Sequence, residues 1–125
     1  MLFRIKGILT RKDVIICISP VESKNYINPK IANQLVILEL NIIENLDFLD
    51  KKQYEIIDLQ LNIGEYIVIS QFSVQSLWND QGDIILGSPW METLGSFILN
   101  MKKRFLTFSY KNKKIMLQDL TVKQN

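Results

Sequence analysis

The chain contains no histidine and a single cysteine, Cys17. These two facts decide much of what it cannot do. Ser-His-Asp and Cys-His catalysis both need an imidazole base. A zinc site needs nitrogen or sulfur ligands, which one thiol without histidine does not supply. Neither a metal nor a cofactor is therefore expected, and any chemistry must come from carboxylates, lysines, tyrosines or hydroxyls. Cys17 lies inside the apolar run DVIICI (residues 13–18). There it reads as a small core residue and not as a nucleophile, since no base is in sight. A lone cysteine cannot close an internal disulfide, which fits a reducing compartment.

The elements that must position any site come from the apolar patterning. At 125 residues and 47% hydrophobic, one domain spanning residues 1–125 with a modest core is the natural reading. No apolar run approaches the ~20 residues of a membrane span. Arg4 and Lys6 interrupt the N-terminal stretch, so it does not read as a signal peptide. The expected location is the cytoplasm or nucleus, not the secretory route, with no membrane partner.

Residues 2–9 (LFRIKGIL) and 13–18, joined by polar residues 10–12, read as a hairpin. Pro20 ends the second strand. Asn28 followed by Pro29 marks a helix start, with asparagine as cap and proline in the first turn. Ile31 and Leu35 would share a face of a short helix ending near Leu35. Residues 36–43 (VILELNII) then read as strand, and the acidic residues 44–54 as a loop without glycine. Residues 55–63 and 66–74 alternate around Gly64-Glu65, giving a second hairpin.

The most informative stretch is DIILGSPW, residues 83–90. An apolar run reaches a glycine, which reads as a buried strand ending where only a small residue fits. Ser88 is positioned to cap, and Pro89 to begin, a short helix carrying Trp90, Met91 and Leu94, with Gly95 as its stop. Residues 104–110 and 114–118 form a third hairpin around residues 111–113. The fold class is all-β, a barrel or sandwich with two short helices.

With that order in place, the chain resembles the retropepsin-type aspartic proteases of gypsy-class long-terminal-repeat retrotransposons and plant pararetroviruses. Residues 83–118, DIILGSPWMETLGSFILNMKKRFLTFSYKNKKIML, carry the family pattern. That pattern is Asp-apolar-apolar-Leu-Gly, a short Trp-containing helix, a Leu-Gly step and a hairpin rich in Phe and Lys. Residues 24–35 (KNYINPKIANQL) are similar to the segment that follows the catalytic motif, and residues 63–74 to the strand pair before DIILG. The resemblance implies a closed acid-protease barrel, a homodimer and a catalytic Asp-Ser/Thr-Gly-Ala/Ser turn in each subunit. Two such turns meet across the two-fold axis, and their aspartates share a proton and activate a water.

Counting back from Asn25-Tyr26-Ile27 puts that motif at Ser19, Pro20, Val21 and Glu22. Ser19 cannot hold the required charge, Pro20 has no backbone donor, and Val21 is β-branched where the family uses glycine. The flap hairpin usually carries a glycine, and the corresponding residues 44–54 have none. No catalytic residue is therefore assigned. Glu22 is the nearest carboxylate, and two copies across a dimer axis could in principle do acid–base work, but a loop glutamate is the plainer reading. Ser19 has no base within reach in sequence. Asp80-Gln81-Gly82 has the look of the motif in the wrong place, Asp83 sits where the family keeps a structural aspartate, and Asp13 starts a strand on the far side of the hairpin.

The expected function is a catalytically inactive retropepsin-like domain that dimerises or binds a protein or peptide. The alternative is an aspartic endopeptidase of a retrotransposon or pararetrovirus polyprotein with an unusual active site. A nucleic-acid role for residues 102–114 is not expected. Aromatics alternating in a strand are more often core than stacking platforms, and the net charge is only +2. Charge is nonetheless uneven, acidic across residues 39–65 and basic across residues 102–123. That split reads as two solvated faces or as a partner surface.

Overall fold

The computed structural model describes residues 3–39, 56–77 and 82–121. Its elements in chain order are β1 (Phe3–Leu9), β2 (Lys12–Ile18), β3 (Tyr26–Ile27), α1 (Pro29–Glu39), β4 (Ile56–Ile63), β5 (Tyr66–Val74), β6 (Ile84–Leu86), α2 (Ser88–Thr93), β7 (Phe97–Asn100), β8 (Phe105–Tyr110) and β9 (Lys113–Gln118). Six strands close a barrel in the order β1-β2-β6-β3-β5-β4, and the other three form a separate sheet, β7-β8-β9. All-β architecture with two short helices is thus observed. No helix among the described residues is long and apolar enough to cross a membrane.

Alternation explains the barrel wall. Phe3, Ile5 and Leu9 of β1 face the core while Lys6 and Ile8 face out, and Tyr66, Val68 and Phe72 of β5 repeat the pattern. β6 is different. All three of its residues are buried, because β2 runs parallel on one edge and β3 antiparallel on the other. A continuous apolar triplet is what a strand covered on both faces requires. Full burial of a side chain such as Phe72 or Leu86 contributes about 1.5–3 kcal/mol.

The hairpins are tight. β1 and β2 are joined by Thr10 (φ 48°) and Arg11 (φ 68°), and β8 and β9 by Lys111 (φ 50°) and Asn112 (φ 64°). Two successive left-handed residues define a type I′ turn, whose twist matches that of the strands. At Thr10 a β-branched residue adopts this conformation without glycine. Asn28 caps α1 through its Oδ1, which accepts from Lys30 N at 3.0 Å.

Two expectations are corrected. The helix does not stop near Leu35, since α1 runs to Glu39, so residues 36–39 are helical and not strand. Ile31, Leu35 and Leu38 keep a helical i, i+4, i+7 spacing that the β-branched composition of VILELNII obscured. Residues 40–43 and the acidic residues 44–54 read as the flap lie outside the described residues, as do Asp80 and Gln81. At α2 the N-cap is Gly87 and not Ser88, so the cap position itself supplies no side-chain bond. Pro89 does sit in the first turn, and Gly95 takes the left-handed stop at φ 66°.

A buried ion pair ties the start of β8 to the end of β9, where the three-stranded sheet meets the barrel. Asp119 is 2% exposed. Its Oδ2 accepts from Arg104 Nε at 2.8 Å and from Nη2, while its Oδ1 accepts from Thr121 N at 2.8 Å and Oγ1 at 2.9 Å. Next along the chain, Leu120 N donates to Arg4 O at 2.8 Å, and Arg104 stacks 5.9 Å above the Phe3 ring. Burial pushes the Asp119 carboxyl upward. The Thr121 N–H and the Arg104 guanidinium outweigh it, and the group titrates below its ordinary value. A depressed carboxyl stabilises the fold above the ordinary aspartate range of ~4 and loses that contribution as pH falls through the folded value. Asp119→Asn is therefore expected to destabilise the protein by about 3 kcal/mol at pH 7. In urea titrations across pH 3–7, the gap from wild type should narrow below pH ~4. A gap independent of pH would contradict this account.

Candidate functional site

The turn at residues 19–22 joins β2 to β3, and it passes over the end of β6, the strand between them. β2 delivers the chain to Ser19, whose N–H donates to Leu86 O at 3.0 Å. Glu22 N closes the turn onto Ser19 O at 3.1 Å, and Glu22 O accepts from Ser88 N at 2.8 Å. Ser19 and Glu22 are half-buried, Pro20 is exposed, and Val21 is 90% exposed at the tip. The structure thus brings the four predicted positions together in one hydrogen-bonded turn.

Gly87 is where the turn and α2 meet. A Cβ there would stand 2.3 Å from Lys24 O and 2.7 Å from Glu22 O, both backbone atoms with little freedom to move. Only glycine allows the approach. Asn25, 3% exposed, holds the other side. Its Oδ1 accepts from Gly87 N at 2.9 Å, and its Nδ2 donates to Ser70 Oγ at 3.1 Å and Gln71 O at 3.4 Å. Its backbone O accepts from Ser73 N at 2.8 Å. One amide side chain thus ties the turn to β5 and to the start of α2. In the sequence Asn25 stands out only as part of the Asn25-Tyr26-Ile27 segment similar to the family's. The available signal was a polar residue directly before the short strand Tyr26–Ile27, whose Ile27 is buried.

The remaining candidates fall elsewhere. Asp83 is structural. Its Oδ2 accepts from Ile15 N at 2.9 Å, its N donates to Ile15 O at 2.9 Å, and its O accepts from Asn28 N at 3.0 Å. Asp13 is an exposed residue of β2. Cys17 is fully buried, and burial pushes its thiol above the ordinary value, so it stays protonated as a core residue. Phe108 is buried and Tyr110 packs edge-on to Tyr66 at 4.8 Å, so these rings belong to the interior. Among the described residues no group of three or more Cys, Asp or Glu is placed to hold a metal ion. Beside the turn lies an open cleft of about 290 Å³ lined by Lys24, Asn25, Ser70, Gln71, Ser73 and Pro89.

The chain superposes on the retroviral protease-like domain of Ddi1 from Leishmania major with a TM-score of 0.67, covering 96% of this chain and 92% of that one at 14% identity. The fold is retropepsin-like. No family model and no curated protein matches the chain by sequence. In this retropepsin-like barrel the turn at residues 19–22 offers Glu22 as its only carboxylate and Ser19 as its hydroxyl. One subunit therefore cannot supply a carboxylate pair at this position.

The hydrogen bonds around Asn25 give a direct expectation. Asn25→Ala strands Gly87 N inside the protein and should cost about 1–3 kcal/mol. Gly87→Ala forces backbone apart and should destabilise as well. Urea unfolding of both variants checks this, and wild-type midpoints would overturn the role given to these residues.

Proposed function

We propose that the chain is a retropepsin-like domain of the retrotransposon and pararetrovirus type that no longer cleaves peptide bonds and serves as a dimerising, protein- or peptide-binding module. One observation carries the reading. The turn is intact as a scaffold, anchored to Leu86 and Ser88, yet Ser19 stands where the family's chemistry needs aspartate. A water held between two subunits gains nucleophilicity only if one carboxylate is ionised to take its proton. Ser19 offers none. Pro20 and Val21 change the flanking positions too, which a single inactivating substitution would have left alone.

The competing reading is an aspartic endopeptidase that uses Glu22 from each subunit, and the fold itself favours it. Concentrated protein incubated with unfolded protein substrates from pH 4 to 7, with and without an aspartic-protease inhibitor, separates the two. We expect no inhibitor-sensitive peptide ends from a sample shown to be folded. Inhibitor-sensitive cleavage that is lost in Glu22→Gln would establish the endopeptidase.

The same reading places two turns together on a dimer axis. An apolar tip 90% exposed in one chain fits that role. Val21→Lys should leave folding unchanged and weaken self-association by about tenfold or more, as sedimentation equilibrium would show. An unchanged association constant would remove Val21 from the interface.

A further inference from the structure

A second feature lies away from that turn and shares no lining residue with it. A groove of about 410 Å³ runs between β1 and β9. Its floor is apolar, made by Ile5, Ile63, Ile115 and Leu117, each 9% exposed or less. Its two walls are strand edges. The two-residue turn Thr10-Arg11 fixes which β1 residues bond to β2. Leu9 pairs with Lys12, and bonding alternates back through Gly7, Ile5 and Phe3. The backbone groups of Arg4 and Lys6 therefore point away from β2, as Leu120 N on Arg4 O confirms. On β9, Asp119 N bonds Arg104 O, so Leu117, Ile115 and Lys113 bond β8 while Lys114 and Met116 point outward. β9 is an edge strand, and β1 is paired in register with β4 at Ile8–Asn62.

The walls converge at the Leu120–Arg4 bond and open toward the Gly64-Glu65 turn. The result is an apolar trough with backbone donors and acceptors on both rims, which suits an extended peptide whose alternate side chains point down. The rims are cationic. Lys6 and Lys114 are exposed, and Glu65 at the mouth is engaged by Lys113 at 3.5 Å. Exposed lysines on an edge strand oppose pairing with another copy of the same edge. They favour a strand that brings carboxylates.

We propose that this groove binds an extended acidic peptide, alternating apolar and Asp/Glu residues, as a strand added to β9 and facing the outward edge of β1 at Lys6. The proposal does not depend on the state of the 19–22 turn. The peptide's apolar side chains meet the Ile115–Leu117 floor, and its carboxylates meet Lys6 and Lys114.

The test uses the full chain and a labelled hexapeptide of alternating Glu and Val, with a Lys/Val hexapeptide as control. Anisotropy should show the acidic peptide binding and the basic one binding at least about tenfold more weakly. Amide hydrogen exchange should slow at Lys6, Lys114 and Met116 on binding. Met116→Pro removes an outward N–H from an edge strand, where proline is tolerated, and should weaken binding by about tenfold. Lys6→Glu with Lys114→Glu should do the same while leaving every backbone group in place. No binding of the acidic peptide, equal binding of the basic one, or full affinity in both folded variants would overturn the proposal. So would protection appearing at β7 or at residues 19–25 instead, or self-association that buries the β9 edge.

Discussion

Ile84, Ile85 and Leu86 have a strand on each edge and protein on each face, and the chain around them is arranged by that confinement. A strand with two partners leaves no room at its end, so the next residue must let backbone pass within contact distance. Gly87 does so, with the carbonyls of Glu22 and Lys24 packed where its side chain would be. The connection from β2 to β3 must then cross over that end, because its two strands lie on opposite sides of β6. The turn at residues 19–22 is thus a consequence of topology before it is a site. Its hydrogen bonds go to Leu86 and Ser88, and not to any residue that would take part in chemistry.

The same confinement explains why the polar residues near the turn matter more than those in it. Asn25 is buried and spends its amide on β5 and the start of α2, so its loss would leave a donor stranded in a poorly solvated place. Asp83 plays a comparable part at the other end of β6, spanning β2 and the start of α1. Asp119 and Arg104 repeat the device within the outer sheet, at the ends of β8 and β9, beside the Leu120–Arg4 bond to β1. Each is a polar group that specifies one register, since a slip by one residue would unpair it.

These elements were unequally legible. DIILG followed by Ser-Pro announces a buried strand, a close approach and a helix start through residue types alone, and all three are present. Asn28-Pro29 likewise marks a helix start from side-chain chemistry. The end of α1 was misread because Val36 and Ile37 are β-branched and favour strands locally. The type I′ turns at Thr10-Arg11 and Lys111-Asn112 lack the glycine that would have signalled them. The Arg104–Asp119 pair joins positions whose proximity depends on how β8 and β9 are registered, which no local window contains. The site was legible only through the family resemblance, because Ser-Pro-Val-Glu has no chemical signature of its own. The role of Asn25 waited for the fold, because a single buried amide looks like any loop asparagine.

The absence of charge at residues 19–21 bears on association as well as on chemistry. Two carboxylates brought together on a two-fold axis repel, and one must hold a proton for the subunits to meet. Association of such a dimer is tied to pH, and part of its stability is held back as strain at the site. Serine, proline and valine at residues 19–21 bring no charge to the tip. A dimer formed through them would meet through neutral and apolar surface, free of that penalty. On the proposed reading, loss of the chemistry and a better contact would be one change at one place. A turn held by Leu86, Ser88 and Gly87 tolerates it, because none of its anchoring bonds passes through the side chains of Ser19, Pro20 or Val21.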